Sequence, residues 1–199
     1  MTARRQFLGL ALCSVLVSAA PLALAAPPAE DFVRAKQAEL MKLVKLGKEA
    51  EVDRVFDQVL DYRVLAEAAL RDHWSERTDA EREEFTGLLA KLVRASYRKN
   101  LKKTLNYDVA YKGTEQGKDG EVVRTIATSQ KDARQEPVSI DYVVRGQAGT
   151  LRIVDVVTEG SSMVNNYRSS FNRIMKKGGF QEVLKRMRKR AASGEASAD

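Results

Sequence analysis

Few residues in this chain of 199 are equipped for covalent chemistry, and their spacing forms no strong constellation. There is one histidine, His73, and one cysteine, Cys13. That removes the zinc sites built from His and Cys clusters and leaves one imidazole as a general base. His73 stands in Arg71-Asp72-His73-Trp74 at the end of a helical pattern, where a helix C-terminus favours its partial charge. A Ser-His-Asp hydrolase built on it needs a nucleophile on a sharp strand-to-helix turn. Ser161 and Ser162 do follow a strand and open a helix, but Glu159-Gly160-Ser161-Ser162-Met163 lacks the second glycine of that turn, so helix capping is the simpler reading. Asp141 and Asp155 lie amid apolar strand residues, and a pair of inward carboxylates suits acid–base work. Alternation turns Asp141 outward, because Val138, Ile140, Tyr142 and Val144 share the other face. Asp155 has the parity of Leu151, Ile153 and Val157, so it is either a site residue or a buried hydrogen-bonded anchor; the anchor is the expected role.

Charge is the other chemical resource. Between Met163 and Arg190 lie Arg168, Arg173, Lys176, Lys177, Lys185, Arg186, Arg188, Lys189 and Arg190 against the single acid Glu182. Such a run fits a solvated face or a polyanionic partner. The N-terminus decides which polyanion. Arg4 and Arg5 precede an apolar run from Phe7 to Val17, and Ala23-Leu24-Ala25 is a small-x-small cleavage pattern, so residues 1–25 read as a signal peptide. Arg4-Arg5-Gln6-Phe7-Leu8 also resembles a twin-arginine signal with Ala3 in the usual Ser or Thr position, which leaves the export route open. Cleavage takes away two of 34 basic residues and none of 27 acidic ones, turning a formal +7 into +5, and it removes the only thiol. For an exported chain, anionic lipid or an acidic protein surface is a better partner than nucleic acid.

These residues must be held by elements of two kinds. Phe32, Ala35, Leu40, Leu43 and Val44 follow helical spacing until Gly47. Val52 to Leu60 repeats that spacing, and Asp61 is placed to cap a third helix through Val64, Leu65, Ala68 and Ala69. Thr78-Asp79-Ala80-Glu81 is a capping box, and the stripe Phe85, Leu88, Leu89, Leu92, Val93, Tyr97, Leu101 predicts a long helix behind it. The period then becomes alternating over 107–112, 121–129, 138–145 and 150–158, four adjacent strands with short links. A helical period returns after Gly160, breaks at Gly178-Gly179 and resumes with Phe180, Val183, Leu184 and Met187. Helices, an antiparallel meander, then helices make an α+β domain over residues 26–190, followed by a disordered tail at 191–199. No glycine-rich phosphate loop follows any strand, which disfavours a doubly wound nucleotide-binding fold.

One long stretch is similar to a known signature. Residues 149–171, from Gly149-Thr-Leu-Arg-Ile-Val-Asp-Val through Glu159-Gly-Ser-Ser to Asn166-Tyr-Arg-Ser-Ser-Phe171, resemble the MlaC family, also called toluene-tolerance auxiliary proteins. Trp74, Phe85, Leu89, Tyr97 and Leu101 resemble its upstream pattern, and Val138 to Tyr142 its V-x-V-x-Y strand. Leu151 stands where the family usually has Trp. The resemblance implies a periplasmic carrier with a partly NTF2-like curved sheet. Such a carrier would shuttle phospholipid between an outer-membrane lipoprotein complex and an inner-membrane ABC transporter with an MCE-domain protein. It implies no catalytic residue, metal or cofactor, and the chain is expected to act as a monomer.

In that reading an apolar cavity lies between the concave sheet face and the helices. Tyr107, Val109, Ile126, Ile140, Tyr142, Leu151, Ile153, Met163, Tyr167 and Phe171 are the candidates for lining it, although for each taken singly ordinary core packing is the simpler assignment. Arg168 and Arg173 are candidates for a basic rim that meets a headgroup or partner. Two other readings compete: a cone-shaped enzyme using Asp155 and His73 as acid and base, and an adaptor that binds protein or anionic lipid surface through its basic C-terminal helix.

Overall fold

A computed structural model describes residues 28–194; the signal-peptide reading of residues 1–25 and the last five residues of the expected tail lie outside them. The elements in chain order are helices α1 (Pro28–Lys45), α2 (Glu49–Val59), α3 (Tyr62–Leu70), α4 (Asp72–Ser75) and α5 (Asp79–Thr104). Strands β1 (Tyr107–Gln116), β2 (Glu121–Ser129), β3 (Val138–Arg145), β4 (Arg152–Thr158) and β5 (Ser161–Ser162) follow, and then helix α6 (Met163–Ser193). The strands lie side by side in sequence order, all antiparallel.

Local chemistry sets most boundaries. Asp61 Oδ1 accepts the Val64 N–H at 3.0 Å to open α3. At the start of α5 the capping box is complete: Thr78 Oγ1 accepts the Glu81 N–H at 3.2 Å and Glu81 Oε2 accepts the Thr78 N–H at 3.0 Å. β1 runs past the expected Lys112, because a register shift between Tyr111 and Gly113 places a bulge there and Gly113 takes φ 110. The meander also has a fifth strand of two residues. Glu159 (φ 49) and Gly160 (φ 72) are both left-handed, the conformation of a tight hairpin turn, and fold Ser161 and Ser162 back on Val157 and Thr158. At the C-terminus, helix continues to Ser193, so residues 191–193 belong to α6 rather than to a tail.

The interior has two parts. Phe85 and Phe171 meet edge to face at 5.1 Å, Phe180 sits 6.0 Å from Phe85, and these rings with Leu65, Leu70, Leu89, Val183 and Leu184 make a filled core between α3, α5 and α6. The N-terminal half of α5 belongs to that core. Its C-terminal half, with Val93, Tyr97 and Leu101, faces instead a space enclosed by α1, α2 and the sheet. Among the described residues no helix is long and apolar enough to cross a membrane, and no group of His, Cys, Asp and Glu could hold a metal.

Candidate functional site

That space is a cavity of about 570 Å³. Its floor is the sheet: Val109 of β1, Ala127 of β2, Ile140 and Tyr142 of β3, and Ile153 and Val156 of β4 line it. Register explains the set. Val109 pairs with Ala127, Ala127 with Val138, and Tyr142 with Val156, so cross-strand partners share one face. Its roof is helical, with Val33, Leu40 and Met41 from α1, Phe56 and Val59 from α2, and Tyr97 from α5. The inner end closes where Leu60 bridges Ile153 and the Asp61 N–H donates to the Ile153 carbonyl at 3.1 Å. The other end opens where α5 gives way to β1, marked by the exposed lining residues Asn100, Lys103 and Thr158.

Four tyrosines, Tyr97, Tyr107, Tyr142 and Tyr167, are among the lining residues. Tyr97 Oη lies 3.9 Å from Met163 Sδ and its ring is 5.3 Å from Phe56. Desolvation pushes the Tyr167 hydroxyl up to about 12 and raises those of Tyr97 and Tyr142 well above the ordinary phenol range. These groups stay neutral at physiological pH, and among the described residues the lining contains no carboxylate. The arrangement suits an apolar ligand.

The MlaC protein family model matches residues 33–189. The chain belongs to the MlaC family. No curated protein matches it. The fold of this MlaC-family chain is similar to that of the phospholipid-binding protein from Ralstonia solanacearum, whose structure was solved in complex with a phospholipid. The TM-score is 0.71 at 21% identity, covering 85% of this chain and 99% of that one. A likeness at that identity is one of fold.

The sequence candidates divide clearly in the MlaC-family structure. Tyr107, Val109, Ile140, Tyr142, Ile153, Met163 and Tyr167 come together around the cavity. Ile126 does not: it pairs with Ala110 and Ser139 on the opposite sheet face, while Val123, Thr125 and Ala127 turn inward. The presence of Arg124 on the face of Ile126 is the sequence signal that separates the two sides. Leu151 and Phe171 are buried in the core but absent from the lining, so the departure from the family's Trp at 151 lies off the cavity wall. Arg168 is not a rim residue. Its Nε and a terminal nitrogen donate to the Ala68 carbonyl at 3.0 and 2.6 Å, and the other terminal nitrogen donates to Asn165 Oδ1 at 2.8 Å, tying α6 to the last turn of α3. Arg173 is exposed on α6 and also lies outside the lining. The helical wall (Phe56, Val59, Val93, Tyr97) was missed as a wall, although its stripes were plain, because a stripe marks a buried face whether it meets side chains or a void.

Asp155 takes the anchoring role, by a route that alternation does not foresee. The β3–β4 register shifts between Val143 and Val144, so Val143 faces Asp155 and Val144 faces Ile153, leaving Val154 as a bulge. The bulge reverses the parity: Ile153 and Val156 face the cavity and Asp155 does not. Its carboxylate accepts from the Val156 N–H (2.8 Å), the Val164 N–H (3.1 Å) and the Ser162 hydroxyl, while Ser162 Oγ caps α6 by accepting the Asn165 N–H at 3.1 Å. His73 Nδ1 instead sits 3.5 Å from Glu76. The two do not form the acid–base pair of the enzyme reading. Asp141 faces outward as expected, 2.7 Å from Arg124, which also pairs with Glu115.

Proposed function

We propose that this protein is a phospholipid-binding carrier rather than an enzyme, holding an acyl chain in the cavity between the sheet and α1, α2 and α5. The observation that carries the reading is the apolar space itself, about 570 Å³ in a fold whose neighbouring core is filled. At roughly 30 Å³ for a water-sized unit, that admits on the order of twenty heavy atoms, one long chain. Each methylene kept from water is worth about 0.8 kcal/mol, so a sixteen-carbon chain represents roughly 13 kcal/mol of hydration cost avoided during transit. Relative to a bilayer the transfer is nearly neutral, because the chain starts in hydrocarbon. The protein therefore exchanges lipid without chemistry, and direction comes from its partners.

In this reading Tyr107, Val109, Ile140, Tyr142, Ile153, Met163 and Tyr167 contact the lipid. Family membership supports the wider assignment: a leader removed near Ala25, residence in the periplasm, and shuttling between an outer-membrane lipoprotein complex and an inner-membrane ABC transporter containing an MCE-domain protein. Native mass spectrometry of the purified protein, followed by organic extraction, tests it. Phospholipid should accompany the protein at near one per chain. Protein that is lipid-free and takes up none from vesicles, even with both partner complexes supplied, rejects the carrier reading.

A further inference from the structure

The cavity wall carries charge of one sign. Among the described residues its charged members are Lys36 on α1 and Lys103 on α5, and no Asp or Glu joins them. Lys103 stands at the open end, where chain order places it: α5 ends at Thr104 and β1 starts at Tyr107, both of which also line the cavity. Thr104 Oγ1 lies 3.5 Å from Met41 Sδ, which brings α1 to the same end.

A lysine in the last turn of a helix can hydrogen-bond the free carbonyls there. Here other groups take two of them. The Leu101 carbonyl accepts the Thr104 hydroxyl at 2.6 Å, and the Lys103 carbonyl accepts the Asn106 N–H at 3.1 Å and the Asn106 side-chain amide at 3.3 Å. The Lys103 ammonium is exposed and has no partner among the described residues. Lys36 is half-buried and pairs with Glu39 at 2.8 Å, one helical turn away and partly exposed, a contact of the weak kind that a stronger anion displaces.

From this we infer that the mouth is a headgroup site selecting lipids of net negative charge, with the ammonium of Lys103 and then Lys36 meeting the anion while the chain occupies the apolar interior. The inference rests on the carrier reading and adds to it a preference for one class of cargo. A phosphatidylglycerol headgroup satisfies the site. A zwitterionic headgroup brings a cation to a mouth whose wall, among the described residues, has no carboxylate to receive it.

The test loads the purified protein from vesicles made of equal parts isotope-labelled phosphatidylglycerol, phosphatidylethanolamine and phosphatidylcholine with identical chains. All three lipids are thus offered on one surface. The protein is re-isolated and its lipid counted by mass spectrometry. Phosphatidylglycerol should be enriched about fivefold over either competitor, the weight of one lysine against an anionic lipid surface. Lys103→Gln should cut the enrichment below about twofold, and the double variant with Lys36→Gln should load the three lipids in the offered ratio. Lys176→Gln, on the exposed face of α6, changes net charge equally and should keep the wild-type preference. Unselective loading by the wild type, or a preference that survives in the double variant, overturns the headgroup site and leaves the carrier intact. A protein that takes up no labelled lipid overturns both.

Discussion

Three donors converge on the carboxylate of Asp155: the Val156 N–H within β4, the Ser162 hydroxyl and the Val164 N–H in the first turn of α6, so this side chain holds the turn between sheet and helix. Hydrogen bonds to an ionised group are each worth about 1.5–3 kcal/mol, and they act here as one network. Asp155→Ala should therefore lower stability by about 2–3 kcal/mol in urea denaturation; a loss below about half a kcal/mol would contradict the anchoring role. The tyrosines make a second prediction at this scale. Burial pushes Tyr111 and Tyr167 up to about 12 and raises Tyr97 and Tyr142 too, against about 10 in an unfolded chain. Above pH 10 the folded chain binds more protons than the unfolded one, so stability is whole below about 10 and is lost as pH rises toward 12. Melting temperature should fall over that window while the phenolates of these four tyrosines form together with unfolding. Ionisation of Tyr97 or Tyr142 near pH 10 in folded protein would show that the cavity wall is wet.

Among the elements, α6 is where small sequence features have the largest geometric effect. Gly179 interrupts it with φ 71 and ψ −174, a region open only to glycine, and the break lets Phe180 return to Phe85. An added Cβ meets nothing within 4 Å, so the cost of Gly179→Ala is conformational, about 1–3 kcal/mol in thermal or chemical denaturation. No measurable cost would mean that the helix straightens without loss. Much of this layer was legible in the sequence because its causes are local: the Thr78 to Glu81 box, the Asp61 cap, the limits of β2 and β3 and the break at the paired glycines each depend on a few neighbouring residues. Parity beyond Ile153 was not legible, since the bulge at Val154 arises from how β4 pairs with β3. Arg168 misled for a similar reason. A cation in a basic helix reads as surface, whereas the chain brings the Ala68 carbonyl, a hundred residues earlier, within reach of it.

At the scale of the molecule, the one sheet and six helices of the described residues build a filled half and a hollow half. Alternation and helical stripes identify faces hidden from water, and a face hidden by side chains has the same signature as one hidden by a void, so the seven wall residues could be named without knowing that they bound a space. Paired substitutions separate the halves. Ala127→Phe projects into the cavity and should stabilise the lipid-free protein by about 1–2 kcal/mol through filling, while reducing lipid carried per chain at least fivefold. Phe85→Ala, in the filled half, should cost about 3–5 kcal/mol. Calorimetry with lipid quantification reads both. If Ala127→Phe leaves lipid loading unchanged, the chain is held somewhere else.

Trp74 is the only tryptophan, and it belongs to the filled half. The guanidinium of Arg82 lies 5.5 Å from its ring and donates through Nε to its carbonyl at 3.0 Å, while the ring takes no part in the cavity wall. The aromatic groups that do face the cavity are tyrosines and one phenylalanine. The protein thus carries two separate optical channels. Indole fluorescence follows the integrity of the fold and is indifferent to cargo, whereas tyrosine absorption changes when the cavity fills, so one unlabelled sample distinguishes emptying from unfolding as it happens.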